Sequence, residues 1–371
     1  MTSSLFEYLL TIPCLIAALV AAGFLYQYLG AHKDRRLYAA EGRWIDIGAG
    51  QRLYLLEKGS GEATVLFEAG IAATNLNWFH VQEAVSQFAA TASYDRGGLG
   101  WSSPSRTPRT PGNLAAELHE LLWGAGLKPP FILVGHSFGG LVMRRFALMY
   151  PEEVVGIVLV DPMRCEEWPP LLPAKQATLD RGCKLSGFAI PIARLGLARL
   201  AVTSLLCRSG RIAYQMAGAA GEGGLHVLGR IKAEVGKMPR EVWPIVAAHW
   251  SRPSYYAGMR SHIAAVPDTV REMQDAEPIR GIPVLLLTPG KSSPLSDDCL
   301  QKIGDTVRQM IAPESAHWVH LDEPELVIQS IREMVAVSTG LEPVTGLTTV
   351  SSVAASPGVA IASAEAAVTV G

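Results

Sequence analysis

The sequence predicts an α/β fold: a mainly parallel sheet of the eight-stranded type flanked by helices, with a helical insertion and an N-terminal membrane-spanning helix. Three observations lead there. From residue 41 to 338, short runs rich in Val, Ile and Leu alternate with segments of helical spacing. That is the pattern of strands buried on both faces, joined by crossover helices. Between 163 and 277 the alternation stops, and helical character with Pro and Gly breaks takes over. Residues 8–29, YLLTIPCLIAALVAAGFLYQYL, hold no charge at all.

This N-terminal run comes first. At ~1.5 Å per residue it reaches about 33 Å, enough for a bilayer core of roughly 30 Å. Tyr8, Tyr26 and Tyr28 lie near its ends, where amphipathic rings favour the membrane interface. A cleavable signal would carry Lys or Arg ahead of the apolar run. Here MTSSLFE has neither, and Glu7 is acidic, so the expectation is a retained anchor. Lys33, Arg35 and Arg36 follow it, partly offset by Asp34. The positive-inside rule then places the remainder of the chain in the cytoplasm. The five cysteines include no CxxC pair, which reads as free thiols of a reducing compartment.

The anchor and its basic flank occupy 1–36. The α/β core is expected over 41–162 and 278–338, a helical cap over 163–277, and a disordered tail over 339–371, rich in Ala, Val, Ser, Thr and Gly. Within the core, strands are expected at 43–47 and 53–56, separated by GAGQ, then at 64–67, 91–94, 131–134, 156–160, 284–287 and 307–311. Helices are expected at 76–89, at 113–122 with Asn113 as N-cap, at 141–149 ending before Pro151, and at 324–335. Inside the cap, residues 188–207 are quite apolar, but Arg194 and Arg199 argue against a second span. They read as a helix packed on the core, or as an amphipathic helix that touches lipid. Trp168, Trp243 and Trp250 either pack within the cap or line an apolar pocket.

Net charge is −2 with 18% charged residues, and no basic stripe is present. Nucleic acid is therefore not an expected partner. No Cys/His cluster has ligand spacing, so no metal and no cofactor are expected.

The chemistry centres on Gly135-His136-Ser137-Phe138-Gly139, which follows the apolar run FILV and opens the helical run GLVMRRFALMY. A strand turning at once into a helix puts Ser137 at the apex in a strained conformation, with its hydroxyl lifted above the sheet. The helix N-terminus stabilises negative charge developing there. A serine nucleophile needs a base. His317, in the stretch PESAHWVH after a strand-like run, is the candidate; His320 is the rival, read as inert.

These pieces, with EAG at 68–70, YDRGGLGWSSPS at 94–105, GHSFGG at 135–140 and SAHWVHLDEPE at 315–325, resemble the α/β-hydrolase family over residues 41–338. The resemblance implies a lid inserted after the sixth strand and a triad in the order Ser, acid, His. It implies an oxyanion hole from the backbone N–H groups of Ile71 and Phe138. It also implies an Asp in the loop after the seventh strand, but Ser293 stands there, with Asp297 and Asp298 only later. Some lipases of this fold take the acid from the sixth strand, where this chain has Asp161. Asp161 therefore stands beside Asp297 or Asp298 as candidate acid. Asp95 is expected to be structural, as are Asn75, Asn77 and Trp78.

The expectation is a serine hydrolase cleaving a small, apolar, lipid-like carboxylic ester through an acyl-enzyme. An acyltransferase and a non-catalytic binding protein on the same scaffold are the alternatives. Dehalogenases and most epoxide hydrolases of this family use an Asp where Ser137 stands. The oligomeric state is not legible.

Overall fold

In a computed structural model of the chain, residues 2–39, 41–164, 173–219, 221–338 and 340 are described. Cys165, Trp168 and, apart from Gly340, the expected tail lie outside them. The chain divides into two compact units, one of Met1–Glu41 with Lys184–Arg260, the other of Gly42–Cys183 with Ser261–Gly371.

The second unit is built on eight strands: β1 (Arg43–Asp46), β2 (Arg52–Lys58), β3 (Thr64–Glu68), β4 (Ala90–Asp95), β5 (Phe131–His136), β6 (Val154–Val160), β7 (Val284–Pro289) and β8 (Val307–Ala312). Their order is β1-β2-β4-β3-β5-β6-β7-β8. β1 and β2 run antiparallel to their neighbours, and the pairings from β4 through β8 are parallel. The continuous apolar runs follow from burial on both faces. Leu66, Leu133, Ile157, Leu159 and Leu286 face one core, and Val65, Phe67, Ile132, Val134, Val158 and Leu287 the other.

The helices of the chain are α1 (Thr2–Tyr38), α2 (Phe79–Val85), α3 (Pro111–Ala125), α4 (Phe138–Met149), α5 (Pro173–Arg194), α6 (Leu197–Cys207), α7 (Arg211–Ala219), α8 (Gly221–Gly236), α9 (Trp243–Trp250), α10 (Pro253–Ala264), α11 (Val266–Gln274), α12 (Asp297–Ile303), α13 (Val319–Asp322) and α14 (Pro324–Ser338). α3 and α4 supply Leu118, Leu121, Met143 and Phe146 to the first core. α2 and α14 supply Val81, Val85, Val327 and Ile331 to the second.

Two local expectations are corrected. The segment 76–89 is a tight 3₁₀ turn (Asn75–Trp78) followed by the short α2. α3 starts at Pro111 with Thr110 at its N-cap, so Asn113 is not the cap. Proline is favoured at a first helical position because its missing N–H has no partner to lose there. Asn113 instead donates from its amide to the Pro108 carbonyl at 3.0 Å.

β4 and β5 flank β3 on opposite sides. The chain leaves β3 toward β4 on one side and leaves β5 toward β6 on the other, so the carboxyl ends of β3 and β5 mark the switch point of the sheet, where folds of this class place their sites.

Candidate active site

Ser137 is the single residue between β5 and α4, at φ 53°, ψ −121°. The left-handed backbone of a non-glycine residue is strained, and here the surroundings hold it. Its N–H donates to the Val160 carbonyl at 3.1 Å, and its own carbonyl accepts from Met163 at 3.1 Å and Gly140 at 3.0 Å. The turn needs Gly139: a Cβ there would lie 2.5 Å from the Glu68 carbonyl oxygen and 2.6 Å from that of Ala69. Ser137 Oγ itself makes no hydrogen bond among the described residues.

Asp161 leaves the end of β6 at φ 40°, and its N–H donates to the Leu287 carbonyl at 2.8 Å. Its Oδ2 lies 2.7 Å from Nδ1 of His317. With a carboxylate as acceptor, Nδ1 carries the proton and Nε2 presents its lone pair. The His317 side chain is 41% exposed, against 14% for Asp161. The imidazole is thus reachable, while its orienting carboxylate is largely shielded from competing water.

The His317 loop is braced from below. Glu323 accepts from the Glu314 N–H at 2.9 Å and from the Ser315 hydroxyl at 2.7 Å. Asp322 accepts from the Ala316 N–H at 3.1 Å. His136, next to Ser137 in sequence, donates from Nε2 to the His317 carbonyl at 2.9 Å. The two rings also touch, with centroids 4.7 Å apart. Burial holds the pKa of His136 well below the ordinary imidazole value, reinforced by neighbouring His320 and His317. His136 is therefore a neutral strut between the two candidate catalytic positions.

Ile71 packs with Phe138, Leu114, Val142 and Met163 beside the turn. The N–H groups of Ile71 and Phe138 donate to no acceptor among the described residues. The loop is pressed onto the Ser137 turn, since a Cβ on Gly70 would stand 3.5 Å from the Ser137 Cβ. The next residue, Ala72, is also left-handed, at φ 58°.

Behind this loop lies an ionic network that sequence reasoning missed. Arg96 donates from Nη1 to Glu68 and to the Ala69 carbonyl, both at 2.6 Å. It donates from Nη2 to the Gly70 carbonyl and from Nε to His262 at 3.2 Å. Its guanidinium lies 5.4 Å from the centre of the Phe138 ring. Tyr94 donates to the other Glu68 oxygen. Both members of the Arg96–Glu68 pair are 1% exposed. Burial raises the Glu68 pKa, and Arg96 opposes that shift. The sequence signal was the arginine inside YDRGGLG, an ionisable residue directly after a buried strand.

The remaining candidates stand apart. Asp297 and Asp298 are exposed in the first turn of α12, behind an N-cap serine, Ser296. There they complement the helix dipole. Ser293 gives its carbonyl to Arg164 at 2.7 Å. His320 is buried, with ring centroids 4.5 Å from Trp78 and 4.4 Å from His136. Asp95 accepts from the N–H groups of Asn75 at 3.0 Å and Trp101 at 2.9 Å. Asn77 accepts from the Thr74 N–H, and Trp78 is fully buried. In the cap, Trp243 donates to the Met238 carbonyl and Trp250 lies against Tyr255.

A family model described as the alpha/beta hydrolase fold matches residues 63–181. The uncharacterized protein YqjL of Bacillus subtilis is 35% identical over 105 residues, covering 28% of this chain and 42% of that protein. This chain spans less than half the length of the curated relatives it matches first. Among solved structures, the epoxide hydrolase CorEH superposes with a TM-score of 0.57 at 19% identity, covering 80% of this chain and 99% of that one. A thermophilic esterase from Thermogutta terrifontis does so with a TM-score of 0.54 at 20% identity, with the same coverages. Together with the strand order and the turn at Ser137, these likenesses establish that the chain has the α/β-hydrolase fold.

Proposed function

We propose that this protein is a serine hydrolase that cleaves a carboxylic ester, or a related acyl bond, of an apolar and lipid-like substrate. In this reading Ser137 Oγ attacks the carbonyl carbon, and His317 Nε2 takes the hydroxyl proton. Asp161 orients the ring and stabilises its cationic form. The N–H groups of Ile71 and Phe138 hold the oxyanion, an arrangement in which one donor is commonly worth about 10²–10³ in turnover. His317 then returns the proton to the leaving group, and water releases the acyl group by the same steps.

The observation that carries the reading is the 2.7 Å Asp161–His317 contact, tied through His136 to a left-handed Ser137. The absence of a bond on Ser137 Oγ suits a contact that closes when substrate arrives, as catalytic hydrogen bonds often tighten only in the complex. Epoxide hydrolase and esterase are the names of the two neighbours. A hydroxyl at the turn favours the acyl chemistry of the second.

The test is a fluorophosphonate probe applied to the full chain in detergent, with turnover of a short p-nitrophenyl ester read in parallel. Labelling that disappears in Ser137→Ala supports the proposal. Folded wild-type protein that neither labels nor turns over the ester overturns it in favour of a binding role.

One helix near the N-terminus, α1, is long and apolar enough over Thr11–Tyr38 to cross a membrane. In the same proposal α1 is a retained anchor, with the chain after it in the cytoplasm.

A further inference from the structure

α1 is more than a tether, because one of its faces is built to dock. Gly23, Gln27, Gly30 and Asp34 follow at spacings of four, three and four, so they form one stripe. A Cβ at Gly23 would lie 2.5 Å from the Leu195 carbonyl oxygen, and one at Gly30 2.6 Å from Arg199 Nε. Glycine therefore lets α1 meet the α5–α6 bend backbone to backbone. Arg199 enters the groove, donating from Nε to Gln27 at 2.9 Å and from Nη1 to Asp34 at 2.6 Å. Gln27 in turn donates to the Ser251 carbonyl at 2.9 Å.

The bend shows bare apolar side chains to its surroundings. Phe188 is 71% exposed and Leu185 60%, with Ile192 on the same face of α5, and Leu197 and Leu200 exposed in the first turn of α6. The rest of α1 does the same with Leu15, Ile16, Leu19, Phe24 and Leu25. Lys33, Arg35 and Arg36 mark the water edge of α1. Gly23 lies ten residues before Lys33, or about 15 Å toward the hydrocarbon at the helical rise. Whatever docks at Gly23 sits at that depth.

Resting on the reading of α1 as a membrane anchor, we propose that the α5–α6 bend is a second membrane contact. It inserts beside α1 into the leaflet on the side of Lys33. Phe188, Ile192, Leu197 and Leu200 enter the acyl region, while Lys184, exposed on α5 well before the bend, extends its charged end toward the headgroups. The bend does not cross the bilayer. α5 and α6 meet at 93°, and the eleven residues of α6 reach only about 16 Å, half a bilayer core.

The test uses the full chain in phosphatidylcholine–phosphatidylglycerol vesicles carrying a phosphatidylcholine with a diazirine in its acyl chain. Photolabelled peptides are mapped by mass spectrometry. The expected result is label both on 12–29 and on 185–200, with the second reduced about tenfold in Phe188→Asp/Leu200→Asp and the first unchanged, since a carboxylate is excluded from acyl chains. Label on 12–29 alone overturns the proposal and leaves the anchor standing. Label on neither overturns both. An acyl-unlabelled bend that an added bifunctional crosslinker joins to a second copy assigns this face to self-association and also overturns it.

Discussion

Ser137, Ala72 and Asp161 each hold a left-handed backbone, a conformation that costs of order 1–3 kcal/mol per residue and persists only where the surroundings over-determine it. All three sit at the candidate active site, where Ser137 carries its hydroxyl and Asp161 the carboxylate that meets His317. Ser137→Ala and His317→Ala should each lower turnover by a factor on the order of 10⁴–10⁶ with no loss of thermal midpoint. Asp161→Asn should cost about 10⁴, because the imidazole then takes the wrong tautomer. Asp297→Asn, on an exposed helix turn, should stay within about twofold. Ester kinetics on the four variants decide the matter, and the reverse order for the two aspartates would remove Asp161 from its role. Arg96 acts by position. Arg96→Met strands a buried Glu68 and should destabilise by about 3–5 kcal/mol in urea melts, with much of that restored by adding Glu68→Gln. Additive losses in the double variant would mean the pair is not coupled.

At the scale of elements, the turn between β5 and α4 depends on close approach to β3. Gly139→Ala pushes a methyl against the Glu68 and Ala69 carbonyls. Overpacking of this kind costs typically about 1–3 kcal/mol, and here it also moves the loop that ends in Ile71. The expected outcome is a lower melting temperature together with weaker fluorophosphonate labelling. A variant as stable and as reactive as wild type would show that the packing has slack. The loop carrying His317 is held through Glu323 and Asp322, whose carboxylates satisfy three donors of residues 314–316. The DEPE run after the histidine is thus a clamp for the loop that carries the candidate base.

For the molecule as a whole, pH stability has a definite sign. Burial depresses His136 well below the ordinary imidazole value and His249 to about 3. Unfolded imidazoles titrate near 6.5. Below that pH the unfolded chain binds protons that the native state refuses, so stability rises with pH through this window. For His249 it is fully present above about 6.5 and falls as pH drops toward 3, by up to about 1.4 kcal/mol per pH unit, and His136 acts in the same direction. Denaturation of the full chain in detergent should therefore occur at lower urea at pH 5 than at pH 7, and His249→Asn should flatten the difference. Equal midpoints at both pH values for wild type would refute it.

The sequence by itself determined what short windows encode. Runs apolar on both faces define parallel strands, glycines around Ser137 define a strand-to-helix turn, and an uncharged stretch defines a helix of bilayer length. These are local matters of period, volume and hydration. Only the tertiary structure decided which carboxylate meets His317, because Asp161 is 156 residues away along the chain while Asp297 and Asp298 are far nearer in sequence. It alone brought Arg96 to the carbonyls of Ala69 and Gly70, and Arg199 to Gln27 and Asp34. Such pairings depend on which strand and helix ends become neighbours, and that follows from burying all the apolar faces together, which no single segment of the chain specifies.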